Sequence, residues 1–178
     1  MGTEQINVQP NASGGVNLPV ENKLSIIVFS GDLDKLLAAF VLSTGAAAAG
    51  MQVRLFFTFW GTAALRDAKK RVEGKDLMSK MFGFMLPKGS TKVKLSKMHM
   101  AGMGTSMMRM LMKKKKVASL EEMLAMAGQM GVEICVCEMS MGLMGFKREE
   151  LIDYPHMSQC GVATFLAEAS TSRVQLFI

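Results

Sequence analysis

The 178-residue sequence lacks the motifs that mark the common nucleotide, metal and disulfide sites. It contains no GxGxxG or phosphate-loop pattern, which argues against a bound dinucleotide or nucleotide. Its three cysteines include no CxxC pair, and His99 and His156 stand at no metal-ligand spacing, so we expect neither a metal nor another cofactor. An odd number of cysteines does not make a disulfide framework, and it favours a reducing cytoplasm.

Aromatic residues and long apolar segments are scarce as well. With one Trp and one Tyr, the chain must fill its core with Phe, Leu and Met. The basic residues are not interleaved with aromatic side chains on which bases could stack, so nucleic acid binding is not predicted. The first residues show no basic region followed by an apolar one, so no secretory signal is expected. Residues 36–53 are uncharged, but Gly50 interrupts them, and a buried helix followed by a strand explains them better than a membrane span.

The sequence does contain a regular alternation of strand-like and helix-like segments. Residues 23–30 are almost continuously apolar, as in a central parallel strand, and a helix is predicted from Asp32 as N-cap to Gly50. Residues 52–59 predict a second strand and residues 62–72 a second helix. This alternation predicts an α/β domain with a mostly parallel sheet of four or five strands. We expect residues 1–22 to be a flexible tail and residues 23–178 to be one domain.

The second half of the domain continues the same pattern. Ser119 and Glu122 form a capping-box sequence at the start of a helix over residues 120–130. Residues 132–137 predict a strand, and a helix follows from Glu138. Residues 147–152 predict a short helical turn, residues 159–169 a further helix, and residues 174–178 the last strand.

A Met-rich and basic helical insert separates the two halves. Residues 77–116 hold ten of the nineteen methionines, and residues 77–120 hold ten Lys or Arg and no acid. This segment is too apolar to lie free in water. It could cover its own domain, pack against a sister subunit or contact an anionic membrane surface, and we favour subunit packing. Copper(I) binding at Met98, Met100 and Met103 with His99 is a weaker alternative to adaptable packing.

The thiols are the candidate reactive groups. Cys137 is predicted at the carboxyl end of a strand and the start of a helix, where parallel sheets bind ligands and where helix N–H groups stabilise a thiolate. We expect its sulfur to be accessible there, although buried packing is the alternative. Cys135 lies deeper on the same face and is predicted to pack. Cys160 could resolve a persulfide or form a reversible disulfide near Cys137, or it could be a buried residue at a helix start.

Several segments together resemble the DsrE/DsrF-like proteins of sulfur relay, within them the longer, Met-rich branch that is labelled peroxiredoxin-like. The resemblance covers residues 23–178. The segments that carry it are residues 25–35, residues 56–61, the Met-rich insert that ends in Lys113 to Lys116, residues 137–145 and residues 161–165.

The resemblance implies a flavodoxin-like three-layer sandwich that assembles as a dimer, trimer or hexamer. It also implies a sulfur carrier or sulfurtransferase that holds sulfane sulfur as a persulfide on the cysteine matching Cys137. Donor and acceptor proteins would be rhodanese-like proteins or small sulfur carriers. Cys160 stands where this branch is expected to have Gly, so the resemblance gives it no role. Around Cys137 there is no peroxidatic motif, so the peroxiredoxin label finds no support.

Six further residues are expected to line the edge of the sheet that presents Cys137. They are Ser30, Gly31, Trp60, Gly61, Met139 and Gly161. Whether the chain is an enzyme stays open, because a carrier need not catalyse. The alternatives are an oligomeric scaffold with inert thiols and a sensor that oxidises Cys137 reversibly.

Overall fold

A computed structural model describes residues 19–70, 81 and 86–178 of the chain. The strands are β1 Glu21–Val28, β2 Gln52–Phe57, β3 Glu133–Cys137, β4 Met157–Cys160 and β5 Ser172–Phe177. The predicted tail falls mostly on residues 1–18, which lie outside the described residues. The first strand begins two residues earlier than predicted, since β1 includes Glu21 and Asn22.

The five strands form one sheet in the order β4-β3-β2-β1-β5, and each neighbouring pair is parallel. The parallel sheet is therefore confirmed. Its central strands are buried on both faces, which explains their continuous apolar sequences. Because all strands run in one direction, their carboxyl ends meet at one edge of the sheet, as the ligand-binding edge of an open α/β sheet requires.

Six α-helices lie entirely within the described residues and pack around this sheet. They are α1 Leu33–Ala48, α2 Trp60–Ala64, α3 Met103–Lys114, α4 Leu120–Gln129, α5 Glu138–Met144 and α6 Val162–Ala169. Ser119 caps α4 through the predicted capping box with Glu122. Short 3-10 turns occur at Ser90–Lys92, Met100–Gly102 and Arg148–Glu150.

The helices lie on both faces of the sheet and give a three-layer α/β sandwich. On one face, α1 and α4 pack against Ile26, Leu55 and Ile134 in the main apolar core. On the other face, Phe165 and Ala169 of α6 pack against a smaller cluster of Phe56, Cys135, Cys137 and Cys160. All three cysteines therefore lie on the side of the sheet that α6 covers.

Two predicted helices differ from the observed elements. The helix predicted over residues 62–72 ends at Ala64, and Arg66 instead forms an isolated bridge with Leu151. Residues 71 and 72 lie outside the described residues. The helix predicted from residue 159 starts at Val162, because Met157–Cys160 form the edge strand β4. Ser158 and Gln159 of this edge strand are exposed and polar, so no strand pattern marks it.

The Met-rich insert contains a helix, α3, whose methionines face solvent instead of the core. Helix α3 buries Gly104 and Thr105, while Met103, Met107 and Met110 are 67%, 63% and 71% exposed. A surface helix ordinarily turns its apolar side to the core. This apolar side has no cover within the described part of the protomer. Residues 77–80 and 82–85 of the predicted insert lie outside that part.

Candidate functional site

Cys137 ends β3 and directly precedes α5, so it stands at the carboxyl edge of the parallel sheet, as predicted. Its side chain is fully buried, with 0% exposure. The prediction of an accessible sulfur is therefore wrong for the protomer. The reason is tertiary, since Cys137 points into the cluster that Phe56 and Phe165 close beneath α6.

The surroundings of Cys137 are polar on one side. The Thr58 hydroxyl lies 2.8 Å from the Ser140 hydroxyl, and one of the two donates a hydrogen bond to the other. Burial raises the pKa of the Cys137 thiol, but hydrogen bonding from the Ser140 hydroxyl and N–H, the Thr58 hydroxyl and the Met139 N–H outweighs it, so the pKa falls below its ordinary value. Hydrogen bonding therefore shifts Cys137 toward its thiolate form.

The local sequence explains how these donors reach the sulfur. Thr58 directly follows β2, which pairs with β3 in a register that sets Phe57 beside Val136. Met139 and Ser140 are the second and third residues of α5, where backbone N–H groups have no partner inside the helix. Neither Thr58 nor Ser140 is among the site residues predicted from the sequence. Ser140 could have been predicted from its position, because a hydroxyl residue three positions after the strand-end cysteine lies in the first turn of the following helix.

A disulfide joins the other two cysteines. Cys135 and Cys160 are bonded across β3 and β4, with 5.9 Å between their Cα atoms. Cys160 was expected to bond near Cys137, if at all, so the choice of Cys135 as its partner was not predicted, and the interpretation of Cys135 as a packing residue alone is wrong. Cys160 lies on β4 as the register partner of Cys137, yet its bond goes to Cys135. Cys137 is the free cysteine.

Three of the six expected edge residues line a separate cavity. Ser30, Gly31 and Trp60 surround a cavity of about 380 Å³ at the ends of β1 and β2. Among the described residues that line it, Cys137 is absent. Gly31 is required there, because a Cβ at this position would lie 2.5 Å from the Trp60 carbonyl oxygen.

The other three edge residues occupy different places. Gly61 packs under β1, where a Cβ would meet the Val28 carbonyl oxygen. Met139 lies in the first turn of α5 with 57% of its side chain exposed. Gly161 joins β4 to α6 as the residue before that helix. Only Met139 among the six contributes to the surroundings of the thiol, through its N–H group.

The backbone is strained near the carboxyl edge of the sheet, where Cys137 lies. Phe59 follows Thr58 with a φ of 44°, which is uncommon for a residue with a bulky side chain. Its ring lies 5.4 Å from that of Phe29, which follows β1. Such strain persists where surrounding contacts hold it, and it often marks functional sites. Here it orients the chain between Thr58 and Trp60.

Neither a metal cluster nor a membrane-spanning helix occurs in the described part of the chain. No group of three or more His, Cys, Asp or Glu side chains there could hold a metal ion. Among the helices described there, each is too short or too polar to cross a bilayer.

The fold is that of a parallel α/β protein. At the carboxyl edge of its sheet lies a buried cysteine that takes part in hydrogen bonds with hydroxyl and N–H groups. The chain belongs to the DsrE/DsrF/DrsH-like family, whose model matches residues 20–177. The family membership expected from the sequence is thus confirmed.

Two relatives and one solved structure illustrate the likeness. The chain is 43% identical over 156 residues to the uncharacterized protein YrkE of Bacillus subtilis, covering 88% of this chain and 96% of that protein. It is 35% identical over 162 residues to the sulfur carrier protein DsrE2 of Allochromatium vinosum, covering 89% and 99% respectively. The ychN protein from E. coli matches in structure with a TM-score of 0.50 at 13% identity, covering 88% of this chain and 99% of that one, which concerns the fold alone.

Proposed function

We propose that this protein is an intracellular sulfur carrier that holds sulfane sulfur as a persulfide on Cys137. Family membership and the sulfur carrier relative support a role in sulfur relay. The observation that carries the persulfide itself is the free cysteine at the carboxyl end of β3, surrounded by hydroxyl and N–H donors that lower its pKa. The thiolate is the reactive form in sulfur exchange.

The transfer balances without a cofactor. The Cys137 thiolate attacks the outer sulfur of a donor persulfide, so that a new S–S bond forms, the donor's S–S bond breaks and the donor's thiolate leaves. In the second step an acceptor thiolate attacks the outer sulfur on Cys137, and the Cys137 thiolate leaves. The same donors that stabilise the thiolate favour it as this leaving group. A rhodanese-like protein or a small sulfur carrier is the class of partner that fits both steps.

Full burial of Cys137 means that sulfur transfer needs a local opening of the carboxyl edge. Trp60 and Met139 are 47% and 57% exposed at the start of α2 and α5, the helices that follow Thr58 and Cys137. We assign the contact with a partner protein to these two side chains. We place the reaction in the cytoplasm, where thiols are kept reduced.

Helix α3 supports assembly of the carrier with copies of itself. Its exposed methionines line a surface cavity of about 770 Å³ together with Met98 and Met100. Flexible, polarizable Met side chains adapt to a protein partner's surface. We propose that a second protomer covers this Met face, defined as Met98, Met100, Met103, Met107 and Met110.

Mass spectrometry tests the persulfide. Wild-type protein incubated with a low-molecular-weight persulfide should gain one sulfur atom on the peptide that contains Cys137, and Cys137→Ser should not. An unchanged mass for the wild-type peptide, or the same gain in the variant, would contradict the carrier function. A thiol that reacts with an alkylating reagent no faster than an ordinary buried cysteine would favour the inert scaffold.

Light scattering after size exclusion tests the assembly. A variant with Met103, Met107 and Met110 all changed to Gln should be monomeric, while Met130→Gln, a control at the end of α4, should keep the wild-type mass. A monomeric wild type that sediments with anionic vesicles would assign the Met face to a membrane surface instead.

A further inference from the structure

The three cysteines lie together at two adjacent strands, and only one of them is used in the carrier function. Cys135 and Cys137 lie on the same face of β3, and both are fully buried. Cys160, 7% exposed, ends β4 beside them. The pair Cys135–Cys160 thus places a two-electron couple next to the thiol that carries sulfur.

Cys160 can reach either neighbour. It is bonded to Cys135, with 5.9 Å between their Cα atoms, and it is the parallel register partner of Cys137. Neighbouring strands lie about 4.8 Å apart, within the range of about 4.4–6.8 Å that Cα atoms span in disulfides. Residues in register on parallel strands project to the same face of the sheet. A sulfur atom held on Cys137 therefore lies within reach of Cys160 once the disulfide is reduced.

We propose that Cys135 and Cys160 form an internal redox couple that decides the fate of sulfur on Cys137. As a disulfide, the couple leaves the persulfide intact for an acceptor protein. As a dithiol, it reduces the persulfide and releases hydrogen sulfide. This inference rests on the proposed carrier function and adds a regulated second outcome to it.

The release balances in atoms and electrons. The Cys160 thiolate attacks the outer sulfur on Cys137, which moves the sulfur to Cys160 and frees the Cys137 thiolate. The Cys135 thiolate then attacks the Cys160 sulfur, forms the disulfide and expels HS⁻. The outer sulfur gains two electrons, and the two thiols lose them. An external thiol reductant restores the dithiol for another turnover.

Two further observations favour this sequence of steps. The lowered pKa of Cys137 makes its thiolate a good leaving group in the first step. The pair packs against Phe56, Phe165 and Ala169, which shield the intermediate on Cys160 from bulk water. Cytoplasmic disulfides are usually transient, catalytic or redox-sensing, which agrees with a couple that cycles.

The experiment compares the two redox forms of the same chain. Peptide mapping without reductant first verifies the Cys135–Cys160 bond in the oxidised form. Oxidised protein, and protein reduced and then freed of reductant without air, each receive one equivalent of glutathione persulfide. Released sulfide and the mass of the Cys137 peptide are then measured. We expect a stable persulfide and no sulfide above the blank from the oxidised form, and one sulfide per protomer with a re-formed disulfide from the reduced form.

Variants separate the roles of the thiols. Reduced Cys160→Ser should stop the release of sulfide and keep sulfur bound to the protein. Reduced Cys135→Ser can release sulfide only by forming a Cys137–Cys160 bond, which peptide mapping distinguishes from the Cys135–Cys160 bond of the wild type. Reduced Cys137→Ser should lose the rapid release. Thermal unfolding of each variant verifies that it is folded, and the comparison of the two wild-type forms needs no variant.

The failures of the two proposals are distinguishable. If oxidised wild type gains no sulfur on Cys137, the carrier function fails. If it gains sulfur, but both redox forms release sulfide at the same rate, the internal couple is refuted while the carrier stands. Release from reduced Cys160→Ser at the wild-type rate, or the absence of a Cys135–Cys160 bond after oxidation, also overturns the couple.

Discussion

Replacement of Ser140 by Ala tests whether hydroxyl donors hold Cys137 as a thiolate. The Ser140 hydroxyl is one of the groups whose hydrogen bonding lowers the pKa of Cys137 against the effect of burial. A hydrogen bond to a charged group contributes about 1.5–3 kcal/mol, and 1.4 kcal/mol corresponds to a factor of about ten in an ionisation constant. The Thr58 hydroxyl loses its partner in the variant and compensates in part. We therefore expect the ionisation constant of Cys137 to fall about tenfold.

The ultraviolet absorbance of the thiolate measures this constant. With Cys135 and Cys160 bonded, Cys137 is the free cysteine, so the thiolate signal reports on it alone. The titration curve of Ser140→Ala should move to higher pH. Ser43→Ala is the matched control, because Ser43 is equally buried but lies in α1 on the opposite layer and bonds to the Ala39 carbonyl. An identical curve for Ser140→Ala and wild type would refute the donor role of Ser140.

Three further predictions concern pH, charge and packing. Because folding lowers the pKa of Cys137, its contribution to stability is present above the unfolded pKa of about 8.5 and is lost as pH falls through the native pKa. Urea unfolding should therefore show wild type gaining stability relative to Cys137→Ser as pH rises toward 9, and parallel curves would contradict this. Glu150→Gln should lower the free energy of unfolding by about 3 kcal/mol in the same assay, because it removes the charge that lies 3.3 Å from the buried Arg66 guanidinium. A decrease of less than about 0.5 kcal/mol would contradict a stabilising role for this ion pair. Gly61→Ala should lower the free energy of unfolding by about 1–3 kcal/mol, because its Cβ meets the Val28 carbonyl, whereas Gly142→Ala meets nothing and should be neutral or stabilising. Equal thermal midpoints for the two glycine variants would contradict the packing argument.

Much of the fold follows from local patterns in the sequence. Buried parallel strands need continuous apolar runs, and helices need caps and a periodic apolar side, so β1, α1 and the Ser119 cap of α4 are visible in the residues themselves. Edge strands lack this signal. Ser158 and Gln159 of β4 are polar and exposed, so the sequence predicts a helix from Gln159 where the structure has an edge strand.

The sequence by itself determined the sheet's parallel direction and the position of Cys137 at the end of a strand, because both depend on the order and period of neighbouring residues. Tertiary structure alone decided what surrounds that thiol. Thr58 and Cys160 come beside Cys137 only because β2 and β4 flank β3, and strand order in a sheet is set by packing between distant segments. The same packing buries the sulfur, bonds Cys135 to Cys160 and leaves the Met face outward, since each depends on which surfaces meet after the chain has folded.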